Sequence, residues 1–212
     1  MLNNVYLIIK RIIDLFIALF LLIITSIPIL LISVVIKLFD KGPVIFKQER
    51  IGKNEEKFIC YKFRTMRVDA PPDLSTKEFT DSYKYITPIG CFLRRSSLDE
   101  LPQLFNVLIG NMSIVGPRPL ITSEAEMHRM RRKYGVYDLK PGITGLAQVC
   151  GRDKLSDKRK AECDAIYAEN VSFSVDVKIF FATLLRVIKK EDIHGTTLGC
   201  LTICFFSSII VV

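Results

Sequence analysis

A long apolar run over residues 15–36 dominates the hydropathy pattern and contains no charged side chain. About 20 such residues span the hydrocarbon core of a bilayer as a helix, so the run predicts a membrane helix. It is longer than the core of a signal peptide, and no small-residue cleavage site follows it, which favours a retained segment. Pro28 lies near its middle and should bend the helix, and Thr25 and Ser26 offer hydroxyls to the carbonyl groups that proline frees.

Basic residues flank this run on both sides, whereas a crossing helix usually has its cationic bias on one side. They are Lys10 and Arg11 before the run and Lys37, Lys41 and Lys47 after it. Together with a break at Ser26 and Pro28, these flanks favour a re-entrant helix that enters the membrane and returns to the cytoplasmic face. A proline-kinked crossing helix explains the same residues, and the pattern alone leaves both topologies open.

Beyond Asp40 the pattern becomes mixed, which predicts a separate domain with strands and helices. Apolar runs at residues 44–46 and 58–61 flank a glycine turn and predict a hairpin, and the polar stretch 69–88 predicts a loop. Helices are predicted over residues 98–108, 123–134, from about 156, and over about 175–190. The last of these has a wide apolar face that suits either the membrane interface or the core of the domain.

The predicted fold class is therefore an α-rich α/β protein that associates with a membrane. Residues 1–40 are the re-entrant helix, and residues 41–195 form a small cytoplasmic domain with amphipathic helices at the interface. Residues 196–212 form an apolar tail of unknown role.

Composition supports contact with lipid and with anions. Mean hydropathy is +0.30, and 30 Lys and Arg against 22 Asp and Glu give a formal charge of +8. A basic surface suits anionic lipid, phosphate or nucleic acid, and charge alone does not distinguish them. Six scattered cysteines without a Cys-x-x-Cys pair, with two histidines, argue against a zinc site and for reduced thiols. The motifs Gly-x-Ser-x-Gly and His-Glu-x-x-His are absent from the sequence, which argues against serine and zinc hydrolases.

Two adjacent carboxylates, Asp99 and Glu100, stand at the start of a predicted helix. One interpretation is structural, because Ser97 and Glu100 fit the Ser-x-x-Glu capping box and Asp99 complements the helix dipole. The other is chemical, because such a pair can hold Mg²⁺ beside substrate phosphates while one carboxylate attacks phosphorus. The pattern alone favours the structural interpretation.

Three further groups of residues have the chemistry to bind phosphate. Arg118 lies between two prolines, which stiffen the backbone that presents its forked guanidinium. Lys62 and Arg64 are two residues apart after a predicted strand, so both can face one anion. The glycines within residues 140–148, followed by Arg152, allow backbone amides to approach a phosphate, although their spacing is neither Walker nor Rossmann. A solvated arginine in a rigid turn and a basic strand edge are the plainer interpretations of the first two groups.

Taken in order along the chain, these motifs resemble the bacterial sugar transferase family, the monotopic phosphoglycosyl transferases. The resemblance runs from Lys10 to about Ile193. Its motifs are Lys10-Arg11-x-x-Asp14, Lys41-Gly42-Pro43-Val44-x-Phe46-x-Gln48-x-Arg50-x-Gly52, Lys62-Phe63-Arg64-Thr65-Met66, Ser97-Leu98-Asp99-Glu100-Leu101-Pro102-Gln103-Leu104, Gly116-Pro117-Arg118-Pro119 and Lys140-Pro141-Gly142-Ile143-Thr144-Gly145-Leu146-Ala147-Gln148.

The resemblance implies an enzyme of the bacterial inner membrane, with its catalytic domain on the cytoplasmic face. It implies transfer of a phosphosugar from a UDP-sugar to undecaprenyl phosphate, with a covalent aspartyl intermediate, ping-pong kinetics and release of UMP. This is the first membrane step of surface glycan or exopolysaccharide synthesis. Its partners are then the two substrates and membrane lipid but no nucleic acid, and a homo-oligomer stays open.

The site roles are carried over residue by residue. Asp99 is implied as the nucleophile, and Glu100 is implied to help hold Mg²⁺ or assist proton transfer. Arg118 is implied to bind phosphate. Lys62, Arg64 and Arg152 are implied near the nucleotide. The alternative from another class is a non-catalytic membrane-bound scaffold for polysaccharide assembly. A membrane-tethered nucleic-acid-binding protein is disfavoured, because the basic residues are spread out and no reader module is visible.

Overall fold

The computed structural model of the chain describes residues 4–70, 84–151 and 154–189. Within these ranges the chain is rich in helix, with four short strands, which confirms the α-rich α/β expectation. The elements are α1 (Asn4–Phe39), β1 (Ile45–Ile51), β2 (Lys57–Phe63), α2 (Pro88–Arg95), α3 (Gln103–Ile109), β3 (Ser113–Val115), α4 (Ala125–Lys133), β4 (Gly142–Thr144), α5 (Leu146–Cys150), α6 (Asp157–Glu169) and α7 (Phe173–Lys189), with single 3₁₀ turns at Lys53–Glu55, Leu98–Glu100 and Val136–Asp138.

The predicted membrane helix is α1, which has 36 residues and contains Pro28. Helical structure continues across the proline. Thr25 Oγ1 donates to Leu21 O and Ser26 Oγ donates to Ile23 O, both at 2.7 Å, so the two hydroxyls bond to carbonyls of the preceding turn. Among the described helices, α1 is long and apolar enough to cross a membrane by length and composition.

Both halves of α1 pack against the same domain. In the first half, Asp14 accepts a hydrogen bond from Ser113 Oγ at 2.7 Å, and Ala18 is fully buried in the main hydrophobic core. Near the other end, Ile36 is buried beside Phe63 in a second cluster. Between these regions the helix exposes large apolar side chains, namely Ile23, Ile24 and Ile27.

Strands β1 and β2 form the predicted hairpin. They pair antiparallel, from Ile45 opposite Phe63 to Ile51 opposite Lys57. Both strands extend beyond the apolar runs that predicted them, because polar residues occupy many of their exposed positions.

A second, parallel pair joins β3 to β4, with Val115 opposite Thr144. Just beyond it the two chain segments approach closely. A Cβ on Gly142 would overlap the backbone nitrogen of Gly116, and a Cβ on Gly145 would overlap the carbonyl oxygen of Gly116. Backbone packing therefore accounts for the two glycines that suggested a phosphate-binding turn.

Helix α2, which was not predicted, begins at Pro88, where the loop predicted over residues 69–88 ends. Thr87 is its N-cap and accepts a hydrogen bond from Gly90 N at 3.0 Å, a combination that the sequence analysis overlooked. Most of the predicted loop, residues 71–83, and the predicted tail, residues 196–212, lie outside the described part of the chain.

The later helices confirm the predictions at 123–134, from about 156 and at about 175–190, as α4, α6 and α7. Helix α6 starts after Ser156, whose hydroxyl accepts from Arg159 N at 3.3 Å. Helix α7 has two apolar faces: Ile179 is fully buried in the core, whereas Phe181 and Leu185 are 56 % exposed.

Candidate active site

Glu100 lies at the centre of a cluster of charged side chains. Its Oε1 accepts from Lys62 Nζ at 2.7 Å and from Arg118 Nη1 at 3.3 Å, and the glutamate is buried. The three residues come from a 3₁₀ turn, from β2 and from the segment after β3. The fold therefore brings together three of the residues that the sequence predicted for a site.

Asp99 and Glu100 belong to the 3₁₀ turn Leu98–Glu100 rather than to a helix over residues 98–108. Helix α3 begins only at Gln103, after Pro102. Proline has no N–H for the helical pattern, so the predicted continuous helix is replaced by a turn and a shorter helix.

Ser97 introduces this turn in the left-handed conformation, with φ 55° and ψ 16°. Such a conformation costs a non-glycine residue roughly 1–2 kcal/mol. Its side chain makes no capping hydrogen bond, so the capping-box interpretation of Ser97 and Glu100 is wrong. Strained non-glycine backbone concentrates at functional sites, and here it lies two residues before Asp99.

Arg94 lies close to Asp99. Burial lowers the pKa of the Arg94 guanidinium, and the negative charge of Asp99 opposes that shift. Arg94 Nε donates to Thr65 Oγ1 at 2.9 Å, which fixes the guanidinium against the segment after β2. Asp99 itself is partly exposed, so its carboxylate can be reached from solvent.

Arg50 adds a further cation on the Arg118 side of the cluster. Burial lowers the pKa of Arg50, and the positive charge of Arg118 lowers it further. Lys62, Arg50 and Arg118 thus oppose the two carboxylates of the turn. Several cations that converge in a partly buried site suit a diphosphate.

Three side chains donate hydrogen bonds to carbonyl groups of the segment that carries Arg118. Arg131 Nη1 donates to Arg118 O at 2.8 Å, Arg50 Nη1 to Pro119 O at 3.1 Å, and Tyr167 OH to Val115 O at 3.2 Å. This segment is fixed along its whole length, so the Arg118 side chain starts from a rigid backbone.

Asn106 fixes α3 to the hairpin. It is fully buried, its Nδ2 donates to Ile59 O at 2.6 Å, and its Oδ1 accepts from Tyr61 N at 3.0 Å. The amide side chain therefore makes the hydrogen bonds to one N–H and one carbonyl group of β2 that a neighbouring strand would otherwise make. Lys62 is the next residue of β2, so this contact holds α3 against the strand that carries Lys62.

Arg64 lies apart from this cluster. It is buried at the end of α1, where Nη2 donates to Asp40 O at 2.7 Å and lies 3.3 Å from Asp40 Oδ2. Ser26 and Pro28 lie within α1, and Arg152 falls outside the described residues. A nucleotide-binding role for Arg64 or Arg152 stays a prediction.

Asp99 and Glu100 have the carboxylate oxygens that Mg²⁺ prefers as ligands. In the described ranges no group of three or more His, Cys, Asp or Glu residues is arranged to hold a metal ion. Mg²⁺ is often bound by one or two carboxylates together with substrate phosphates. The two carboxylates therefore suit a metal whose remaining ligands come from a bound diphosphate and water.

Several residues of the site were missed by sequence reasoning. They are Arg94, Asn106, Arg131 and Asp164. Asn106 had a usable signal, because a lone amide inside an apolar helical pattern predicts a buried polar contact. Arg131 belongs to the basic end of a predicted helix, and nothing in the sequence connects it with Asp164.

The sequence profile of one known family, described as bacterial sugar transferase, matches residues 5–190 of the chain. The protein therefore belongs to the bacterial sugar transferase family, as its motifs predicted.

Three curated relatives illustrate the range of the family. The chain is 41 % identical over 189 residues to the uncharacterized sugar transferase EpsL of Bacillus subtilis (strain 168), covering 89 % of this chain and 92 % of the relative. It is 38 % identical over 192 residues to a UDP-glucose:undecaprenyl-phosphate glucose-1-phosphate transferase of Klebsiella pneumoniae, covering 87 % and 41 %. It is 40 % identical over 187 residues to a UDP-galactose-lipid carrier transferase of Erwinia amylovora, covering 79 % and 39 %. The match thus spans nearly all of the first relative but only about two fifths of the other two.

Proposed function

We propose that this protein moves a sugar phosphate from a UDP-sugar to undecaprenyl phosphate and releases UMP, as the first membrane step of surface glycan synthesis. The observation that carries the proposal is the adjacent pair Asp99 and Glu100, with Glu100 bound by Lys62 and Arg118. The relatives named for glucose and galactose transfer support the reaction class. Because those names differ in the sugar, the substrate is proposed as a UDP-sugar.

The reaction proceeds as two displacements at one phosphorus atom. A carboxylate oxygen of Asp99 attacks the β-phosphorus of the UDP-sugar, and the bond from that phosphorus to the bridging oxygen breaks as UMP leaves. An oxygen of undecaprenyl phosphate then attacks the same phosphorus, and its bond to Asp99 breaks. The carboxylate is regenerated, and the product is a sugar linked to undecaprenyl diphosphate. UMP leaves before the acceptor reacts, so the kinetics are ping-pong.

The charged cluster stabilises the diphosphate during both displacements. Glu100 holds the side chains of Lys62 and Arg118, which together with Arg50 offset the charge that shifts to the leaving UMP. Asp99 and Glu100 are the residues that would hold Mg²⁺, which supplies further charge neutralisation at the phosphate oxygens.

Exposed apolar side chains next to the site support its position at the lipid boundary. On α3, which follows the carboxylate pair, Phe105 is 48 % and Ile109 is 65 % exposed. On α7, Phe181 and Leu185 are also exposed. Helices with such faces lie in the membrane interface, where the phosphate of undecaprenyl phosphate is found.

A re-entrant α1 on the cytoplasmic face of the inner membrane is part of the proposal. Contacts to the domain occur towards both of its ends: Lys10 Nζ lies 2.6 Å from Asp176 Oδ2, and Ile36 is buried beside Phe63. A crossing helix would place such ends on opposite sides of about 30 Å of hydrocarbon. A bend at Pro28 leaves both ends at one face.

Intact-mass spectrometry tests the covalent step. Purified protein incubated with a UDP-sugar alone should gain the mass of one sugar phosphate and release one equivalent of UMP. Asp99→Asn should give neither, whereas Asp69→Asn, at an exposed aspartate paired with Arg67, should behave as the wild type. The proposal fails if no adduct forms and UMP release requires both substrates together. A screen of several UDP-sugars guards against the choice of a wrong donor.

Cysteine labelling tests the topology separately. In a variant without its six native cysteines, single cysteines at the exposed positions Val5 and Glu56 should both react with a membrane-impermeant reagent from the cytoplasmic side. If the two cysteines react from opposite sides, α1 crosses the membrane and the re-entrant topology is wrong. The proposed reaction is not affected by that result, because intact-mass spectrometry tests it separately.

A further inference from the structure

A cavity of about 320 Å³ lies against the N-terminal arm of α1, outside the carboxylate cluster. Its walls come from α1, from β3 and from the residues just before β4. The cavity contains none of Asp99, Glu100, Lys62 or Arg118. It is therefore a second concave site with a different set of side chains.

Two cations of this cavity converge over Gly110. A Cβ at that glycine would lie 3.3 Å from Arg11 Nη2 and 3.7 Å from Lys140 Nζ, and Lys53 contributes a third cation to the wall. Burial lowers the pKa of Lys140, and the charges of Arg11 and Lys53 lower it further. The Arg11 guanidinium also donates to Val107 O at 2.6 Å and to Leu108 O at 3.1 Å, so Lys53 and Lys140 are the two cations of this wall that are left to meet a ligand.

The carboxylates of the cavity do not balance these cations. Lys10, which also lines it, already binds Asp176 at 2.6 Å and lies 3.7 Å from Asp14. Asp14 and Asp138 are the acidic residues of the wall. Across the described ranges, neither Lys53 nor Lys140 has a carboxylate within 4.0 Å. The surplus of positive charge suits an anion.

The remaining wall is apolar and belongs to the membrane helix. Ile8 and Ile12 are 66 % and 50 % exposed, and Leu139 closes the cavity from the domain side. A small soluble anion has no apolar part that could contact these isoleucines, whereas an anionic lipid has both a charged headgroup and an acyl chain. We infer that the cavity binds the headgroup of an anionic membrane phospholipid, with the phosphate at Lys53 and Lys140 and an acyl chain along Ile8 and Ile12.

Native mass spectrometry of the detergent-purified full chain tests this inference without using the transferase reaction. Wild-type protein titrated with phosphatidylglycerol should retain one tightly bound lipid. Lys53→Gln combined with Lys140→Gln should weaken that binding about 30-fold, because each basic residue near anionic lipid contributes roughly a factor of five. The matched control Lys133→Gln with Lys158→Gln removes two exposed lysines outside the cavity and should bind as the wild type. Thermal unfolding in the same detergent verifies that each variant is folded.

Three comparison ligands identify the source of the anion. Phosphatidylcholine should bind at least tenfold more weakly than phosphatidylglycerol, and inorganic phosphate or UDP at millimolar concentration should not displace the bound lipid. The inference is overturned if phosphatidylcholine binds equally well or if the two double variants behave alike. It is also overturned if undecaprenyl phosphate displaces phosphatidylglycerol one for one, because the cavity would then belong to the acceptor. If Asp99→Asn abolishes the adduct but retains phosphatidylglycerol, the two sites are independent, as the inference requires.

Discussion

Arg131 Nη1 donates to the backbone carbonyl of Arg118 at 2.8 Å, so one guanidinium holds the peptide that presents another. Its Nε and Nη2 bind Asp164 Oδ2 at 2.9 and 2.6 Å, and both side chains are buried. Since Arg131 acts on the site through Arg118, it is a positioning residue in the proposed reaction.

Arg131→Lys should distinguish the role of Arg131 in positioning Arg118 from the role of its positive charge beside Asp164. Lysine keeps the positive charge beside Asp164 but cannot also reach the Arg118 carbonyl as the fork does. We expect a loss of roughly 1.5–3 kcal/mol in the free energy of unfolding, as for a hydrogen bond to a charged group. We also expect kcat/KM for the UDP-sugar to fall by about tenfold in the folded enzyme, measured as UMP release.

The neighbouring arginine provides the control for that variant. Arg132 binds Glu55 at 2.6 Å on the surface, where its side chain is 57 % exposed. Arg132→Lys should leave both stability and UMP release nearly unchanged, because exposed pairs contribute little. Equal losses in the two variants would show that the Arg131 contact has no special role.

Lys62 and Glu100 should act as one unit. Lys62→Gln and Glu100→Gln should each lower kcat/KM by about 100-fold, since removal of one stabilising donor in a preorganised site has effects of that order. The double variant should lose less than the product of the two single effects, because both remove the same contact. A steady-state double-mutant cycle measures this coupling.

Lys57 and Glu49 offer a comparison on the same hairpin. Their side chains lie 2.8 Å apart but are 58 % and 47 % exposed. Lys57→Gln should change kcat/KM by less than about twofold. Multiplicative effects in the Lys62 and Glu100 cycle would contradict a shared role.

Ser97→Gly should stabilise the protein, because glycine adopts a φ of 55° without steric cost and the serine hydroxyl makes no capping bond. The expected gain in the free energy of unfolding is up to about 1 kcal/mol, since glycine also increases the entropy of the unfolded chain. Ser156→Ala should instead cost about 1 kcal/mol, because Ser156 is a true N-cap. Chemical denaturation in detergent distinguishes the two, and a loss at both positions would restore a capping role for Ser97.

Asn106→Leu should be strongly destabilising. The leucine is similar in size, but it leaves Ile59 O and Tyr61 N without the partner that they have in the fully buried Asn106 side chain, at up to roughly 1–3 kcal/mol for each group. Asn170→Leu, at a surface amide that donates to Ile166 O at 2.9 Å, should have a much smaller effect. Thermal unfolding provides the comparison, and similar losses would mean that the contact to β2 is dispensable.

Local patterns predicted the parts of the fold that depend on local physics. The apolar run became α1, and the acids and bases around residues 123–134 marked α4, since periodicity and dipole complementarity act within one helix. The motifs also named Glu100, Lys62 and Arg118, which the fold brings together.

The errors arose where a distant residue competes with a local pattern. Ser97 and Glu100 have the spacing of a capping box, yet the carboxylate binds Lys62, 38 positions away in the chain. Likewise, Arg131 reads as the basic end of α4, while its guanidinium is buried against Asp164. A sequence pattern has no information on which long-range partner will be present, so these contacts required the structure.

The two-ended attachment of α1 means that the enzyme cannot be detached from its anchor. Deleting residues 4–39 would uncover the core around Ala18 and Ile36 and leave the carboxylate of Asp176 without Lys10. A soluble fragment prepared in this way should aggregate rather than work in water. The membrane segment of this protein completes the hydrophobic core of the domain, so the protein needs lipid as well as water around it in order to fold.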